Sequence, residues 1–110
     1  MANPTRILIA DPNEEFSANL AKALSVNADF SVLGTAADGE KAVEFLENTP
    51  VDVLILDLTL PKLDGISVLK RANALEKAPQ AIVLSGFLSD YIGAMTENLG
   101  VRYYMSKPCD

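Results

Sequence analysis

The sequence contains no histidine and a single cysteine. Without histidine, Ser-His-Asp and Cys-His catalysis, histidine-ligated metals and histidine general bases are all excluded within the chain. The lone Cys109 has no partner for an internal disulfide or a structural zinc site, which fits a reducing compartment. Basic residues are few, 9 against 15 acidic, and the net charge of −6 repels phosphate backbones. Direct contact with nucleic acid by this segment is therefore not expected. No apolar run approaches the roughly 20 residues of a membrane span. The start MANPTRILIADP also lacks the basic flank and long apolar stretch of a signal peptide, so a cytoplasmic protein with no membrane contact is expected.

What is present is the composition of one soluble globular domain: 110 residues, 49% apolar and 22% charged, with no low-complexity run. Short apolar segments rich in β-branched or aromatic residues occur at 5–10 (TRILIA), 30–36 (FSVLGTA), 51–57 (VDVLILD), 80–85 (QAIVLS) and 101–106 (VRYYMS). These predict five strands. Between them, apolar residues repeat at helical spacing: Phe16, Leu20 and Leu24; Ala42, Phe45 and Leu46; Ile66 and Leu69; Ile92, Met95 and Leu99. The order βαβαβαβαβ, with strands apolar on both faces, predicts a doubly wound α/β fold around a parallel sheet. In such sheets the functional crevice lies outside the carboxyl ends of the strands.

Those ends carry Asp11, Asp57, Ser85 and Lys107 followed by Pro108. Two carboxylates, a hydroxyl and an ammonium converge there if the first, third, fourth and fifth strands are neighbours. An aspartate can attack phosphorus to give an aspartyl phosphate, and Asp57 is best placed for it. Phosphoryl transfer depends on positioning and charge neutralisation, which Lys107 and Ser85 can supply. Magnesium is the usual third companion, and Asp11 is the other strand-end carboxylate available to it.

Each residue also has a plain structural role open to it. Asp11 at an N-cap, Pro12 at the first helical position and Glu14 near the third make a good helix start, and capping and metal duty carry equal weight. Asp57 alone could be a solvated strand end, Ser85 a turn cap and Lys107 a surface ammonium. Tyr103 and Tyr104 alternate across a strand, so one of them should face the core side. Glu14, Glu15, Glu44 and Glu47 read as solvated helix faces, and Asp64-Gly65 as the turn opening the third helix.

Over nearly its whole length the sequence resembles the receiver domain of two-component response regulators. DLTLPKLDG (57–65) is similar to that family's phosphoacceptor loop, VLSGF contains its switch hydroxyl, and YYMSKP its aromatic and Lys-Pro. Within the family, VDVLILDLTLPKLDG and the ending KPCD look most like the receiver of the sporulation master regulator, a phosphorelay-driven transcription factor. The resemblance implies a five-stranded parallel sheet in the order 2-1-3-4-5, with Asp57 as phosphoacceptor, Ser85 bonding the phosphoryl group and Lys107 pairing with it. It implies that Asp11, Asp57 and the Thr59 carbonyl hold Mg²⁺, that Tyr104 is the switch aromatic and that the Lys107-Pro108 bond is cis. Leu60 stands where the family often has Met, a volume-conserving exchange.

Implied partners are a histidine kinase or histidine phosphotransferase, and an effector domain or output protein; a homodimer is possible on the same resemblance. Residues 1–110 are expected to form the receiver alone, without the family's fifth helix, leaving apolar surface exposed near the first helix. Pro12 departs from the family, which commonly has a second acid there as a direct metal ligand, so Mg²⁺ binding is expected to be weakened. The alternative is a pseudo-receiver, an interaction module without efficient Mg²⁺-dependent phosphorylation. An aspartate-based phosphatase is disfavoured, because DLTL lacks the second acid that such enzymes place two residues after the nucleophile.

Overall fold

The computed structural model describes residues 3–86 and 90–107. Pro108, with the expected cis Lys107-Pro108 bond, and Cys109 lie outside the described residues. Five strands, β1 (Thr5–Ala10), β2 (Phe30–Ala36), β3 (Val53–Asp57), β4 (Gln80–Ser85) and β5 (Val101–Ser106), alternate with helices α1 (Glu14–Leu24), α2 (Gly39–Asn48), α3 (Gly65–Asn73) and α4 (Asp90–Met95). The strands form one parallel sheet in the order β2-β1-β3-β4-β5, as the resemblance implied.

Side-chain alternation along the strands divides the core in two. On one face Leu8, Ala10, Leu54, Leu56, Ala81 and Val83 pack beneath Ala42, Val43 and Leu46 of α2 and Val68, Leu69 and Ala72 of α3. On the other, Ile7, Ile9, Ile55 and Leu84 meet Phe16, Leu20 and Leu24 of α1. The helical spacings read from the sequence thus mark the buried faces of α1, α2 and α3. Asp64 caps α3, its carboxylate accepting the Ser67 N–H at 2.9 Å.

The α1 face is covered only in part. Tyr103 and Met105, registered beside Ile82 and Leu84, remain 59% and 53% exposed. Tyr104, the neighbouring tyrosine, is registered beside the buried Val83 and is itself 39% exposed.

Two element boundaries differ from the sequence reading. The third strand starts at Val53, not at residue 51. Asp52 is the cause: its carboxylate accepts the Arg6 backbone N–H at 2.8 Å and grips the guanidinium at 3.0 and 2.9 Å. A side chain thus takes the Arg6 donor that a strand ladder would use. Hydrogen bonding to Arg6 holds the Asp52 carboxyl at about 2.

The fourth helix ends at Met95, so Leu99 lies beyond it, and Met95 is 41% exposed. Asn98 (φ 65°) and Gly100 (φ 78°) take left-handed conformations that turn the chain into β5. Among the described residues of this segment, the buried side chain is Thr96, 1% exposed.

Candidate functional site

The carboxyl ends of β1, β3, β4 and β5 meet at one edge of the sheet. Beyond β1, the Asp11 N–H donates to the Ala36 carbonyl at 2.9 Å, which extends the β2 ladder by one residue and holds Asp11 inside. Its Oδ1 accepts the Asn13 N–H at 2.8 Å, folding the carboxylate over the Pro12 turn.

This corrects the expected helix start. The N-cap is Asn13, whose Oδ1 accepts the Phe16 N–H at 3.0 Å, and Glu14 is the first helical residue. Asp11 does not cap because it faces inward, with Oδ2 2.7 Å from the Lys107 ammonium. Pro12 lies in the turn before the cap and not in the helix.

Asp57 closes β3, in register with Leu84 of β4. Its Oδ1 accepts both donors of Thr59, the backbone N–H at 2.7 Å and the hydroxyl at 2.6 Å. Its Oδ2 accepts from Lys107 Nζ at 2.7 Å. Burial pushes the Asp57 carboxyl up, but the hydrogen bonds from Lys107 and Thr59 outweigh it and leave the group below its ordinary value. Lys107 is the counterpart. Desolvation lowers its affinity for a proton, while the hydrogen bonds and charges of Asp11 and Asp57 raise it further, so the net shift is upward.

Two contacts aim the lysine. Its backbone N–H donates to the Ser85 carbonyl at 2.9 Å, continuing the β4–β5 ladder, and its ammonium stands 4.7 Å from the Phe16 ring centroid. Ser85 is buried at the end of β4, one residue past the partner of Asp57. The structure therefore brings Asp11, Asp57 and Lys107 into direct contact, with Ser85 beside them on the neighbouring strand. Pro12 is exposed at the rim.

Tyr104 lies apart from the carboxylates. It is registered with Val83, and its hydroxyl makes a short hydrogen bond with Thr96 Oγ1. Thr96 donates to the Ile92 carbonyl at 2.8 Å, so the tyrosine supplies the proton in the shared contact. The sequence reading missed Thr96 and the Thr59 hydroxyl. Thr96 was discoverable at i+4 from Ile92, and Thr59 by lying two residues beyond a strand-end aspartate.

The fit to Mg²⁺ is partial. Asp11 and Asp57 converge, each with an Oδ2 turned to the same cation at 2.7 Å. The cation that meets them is the Lys107 ammonium. Among the described residues no three His, Cys, Asp or Glu side chains form a metal-holding group. No described helix is long and apolar enough to cross a membrane.

The response regulator receiver domain family matches residues 7–110. The chain belongs to that family. Among solved structures, the signal receiver domain of the putative response regulator NarL from Mycobacterium tuberculosis superposes with a TM-score of 0.88. It is 24% identical, over 99% of this chain and 88% of that one, and so speaks for the fold. A CheX–CheY–BeF3–Mg²⁺ complex from Borrelia burgdorferi matches with a TM-score of 0.84 and 29% identity, over 98% and 81% of the two chains. The P1 domain of CheA3 in complex with CheY6 from R. sphaeroides matches with a TM-score of 0.79 and 27% identity, over 98% and 85%.

Proposed function

We propose that this receiver accepts a phosphoryl group on Asp57 from a phosphohistidine donor and passes a conformational change to an output domain. The observation that carries the reading is the Asp57–Lys107 contact beside Ser85, at the carboxyl edge of the sheet. Thr59 fixes Oδ1 with two hydrogen bonds and leaves Oδ2 as the attacking oxygen once Lys107 moves from it to the incoming phosphoryl oxygens. The Asp57 O–P bond forms as the P–N bond to the donor imidazole breaks, and the imidazole takes up a proton. Ser85 would donate to a phosphoryl oxygen, and its movement would be read by Tyr104. This is a stoichiometric modification of the chain, not turnover of a small substrate.

Mg²⁺ would be held by Asp11, Asp57 and the Thr59 carbonyl, and when bound it adds positive charge against the transferred group. Relatives support the partner assignment: one was solved with Mg²⁺ and BeF3, another with the P1 domain of CheA3. The donor here is a histidine kinase or phosphotransferase in the cytoplasm. The output is transcriptional if the likeness of VDVLILDLTLPKLDG to the sporulation regulator's receiver holds. Residues 1–110 act as the receiver unit, and a homodimer would use the exposed Tyr103 and Met105 face beside α1.

A pseudo-receiver is the second reading, favoured by Pro12 and by the ammonium already seated between the two carboxylates. Intact mass after incubation with acetyl phosphate, with and without Mg²⁺, separates the two. The phosphoacceptor reading expects one acid-stable, base-labile phosphoryl group that disappears in Asp57→Asn. No mass gain in the wild type favours the pseudo-receiver.

A further inference from the structure

The Lys107 ammonium has a third neighbour besides its two carboxylates. It stands 4.7 Å from the centroid of the Phe16 ring, within the roughly 6 Å over which a ring face attracts a cation. Its contacts with Asp11 and Asp57 are each 2.7 Å. Phe16 is itself tied to the same cluster. Asp11 Oδ1 accepts the Asn13 N–H at 2.8 Å, the Asn13 side chain accepts the Phe16 N–H at 3.0 Å, and Asp11 Oδ2 returns to Lys107. The stretch from Asp11 to Phe16 thus closes a circuit of contacts through the ammonium. Pro12, whose φ is locked by its own ring, lies within that circuit.

Phe16 also has a packing duty, shared with Leu20 and Leu24 on the α1 face that meets Ile7, Ile9 and Ile55. Leucine could fill that space, but it has no negative π face to offer a cation. The two duties are therefore separable by chemistry.

We propose that Phe16 is a positioning residue for Lys107, its ring face keeping the ammonium in the crevice while the lysine exchanges one oxygen partner for another. The inference rests on the phosphoacceptor reading. Phosphoryl transfer there requires Lys107 to leave Asp57 Oδ2 for the incoming phosphoryl oxygens, and a hydrogen bond to a carboxylate oxygen weakens steeply as the donor turns away. Attraction to a ring face is tied to no lone pair, so the ammonium can pivot without losing it. With 20% of its side chain exposed, a lysine deprived of the ring has water to swing into.

The test uses the full chain with Phe16 exchanged for phenylalanines carrying one, two and three ring fluorines, which drain the face of negative charge at nearly constant shape, together with Phe16→Leu and Phe16→Tyr. The first readout needs no phosphorylation. Relative to the same series in Lys107→Met, the folding equilibrium constant from urea unfolding should fall along the fluorine series by about two- to fivefold, the size of one partly exposed cation–π contact. The second readout is the rate of phosphorylation by acetyl phosphate in MgCl2, followed by intact mass, which should fall stepwise by about two- to fivefold. Phe16→Leu should lower the rate at least as far as the trifluorinated ring, and Phe16→Tyr should recover most of what leucine loses. A ring with only a packing role leaves both readouts flat across the series. A flat folding constant, or a flat rate in a chain that is phosphorylated, overturns the proposal. Stability that follows the fluorines in a chain that takes up no phosphoryl group would refute the phosphoacceptor reading instead, with the hold of Phe16 on Lys107 upheld.

Discussion

Lys107 Nζ lies 2.7 Å from Asp57 Oδ2, across fifty residues of sequence, and the same ammonium is 2.7 Å from Asp11 Oδ2. One lysine is therefore shared by two carboxylates that would otherwise repel each other at the sheet edge, and offsets one of their two charges. The Asp57 carboxyl lies below its ordinary value of 3.8, so its contribution to stability is present above that value and is lost as pH falls through the folded-state value. Lys107 lies above its ordinary 10.5, so its contribution is present below that value and is lost as pH rises through the folded-state value. Removing one partner of a buried ion pair costs about 3–5 kcal/mol. With 20% of its side chain exposed, Lys107→Met should cost less, about 2–3 kcal/mol at neutral pH. Urea unfolding across pH should show the gap between wild type and variant widest on the neutral plateau and narrowing at both extremes. A gap that does not vary with pH would refute this account.

Two glycines should respond in opposite ways to alanine. A Cβ on Gly39 would sit 1.7 Å from the Leu63 carbonyl oxygen, because the loop after β3 closes against the first turn of α2. Backbone cannot yield as a flexible side chain does, so Gly39→Ala should cost more than the usual ~1–3 kcal/mol of overpacking. A Cβ on Gly93 meets nothing within 4 Å, and Gly93→Ala in α4 should stabilise by about 0.5–1 kcal/mol. Thermal melts of the two variants decide the matter, and equal effects would be inconsistent with this packing.

The fold was legible because its signals are local and redundant. Four of the five strand ranges read from apolar runs coincide with the observed strands, and the third differs only where Asp52 diverts the Arg6 N–H. Asp57 and Lys107 were singled out because strand-end position and motif spacing agree, and the structure brings the two side chains into contact. The misses share one physical origin. Capping was one of two equally weighted roles for Asp11, read from its neighbours in sequence, but its partner Lys107 is 96 residues away, just past β5, and no local pattern encodes that pull. Thr96 escaped because a polar residue interrupts the apolar spacing of Ile92, Met95 and Leu99, although it is the side chain that turns inward.

The Thr96–Tyr104 bond links the segment after α4 to β5. A net hydrogen bond of this kind is worth about 0.5–1.5 kcal/mol, and each partner can be removed almost isosterically. Thr96→Val and Tyr104→Phe should each lower stability by roughly 1 kcal/mol, and the double variant by little more than either. With no tryptophan in the chain, tyrosine fluorescence during urea unfolding reads the effect directly. Fully additive losses would show that the two hydroxyls act independently.

Pro12→Asp tests what the proline removed. Pro12 is exposed and precedes the Asn13 cap, so an aspartate there costs no helical hydrogen bond and adds a carboxylate next to Asp11. Magnesium needs anionic oxygens to offset its dehydration, and a ligand change on this scale is worth about tenfold or more in affinity. Without metal, the added charge repels Asp11 and Asp57, which should raise the Asp57 carboxyl and lower stability. The variant should therefore melt below the wild type in chelator and gain more from added Mg²⁺. Thermal melts in chelator and calorimetric titration with MgCl2, for the wild type and Pro12→Asp, measure both effects. If the wild type binds Mg²⁺ as tightly as Pro12→Asp, the oxygens around Asp11 already complete the site and the proline is no loss to it.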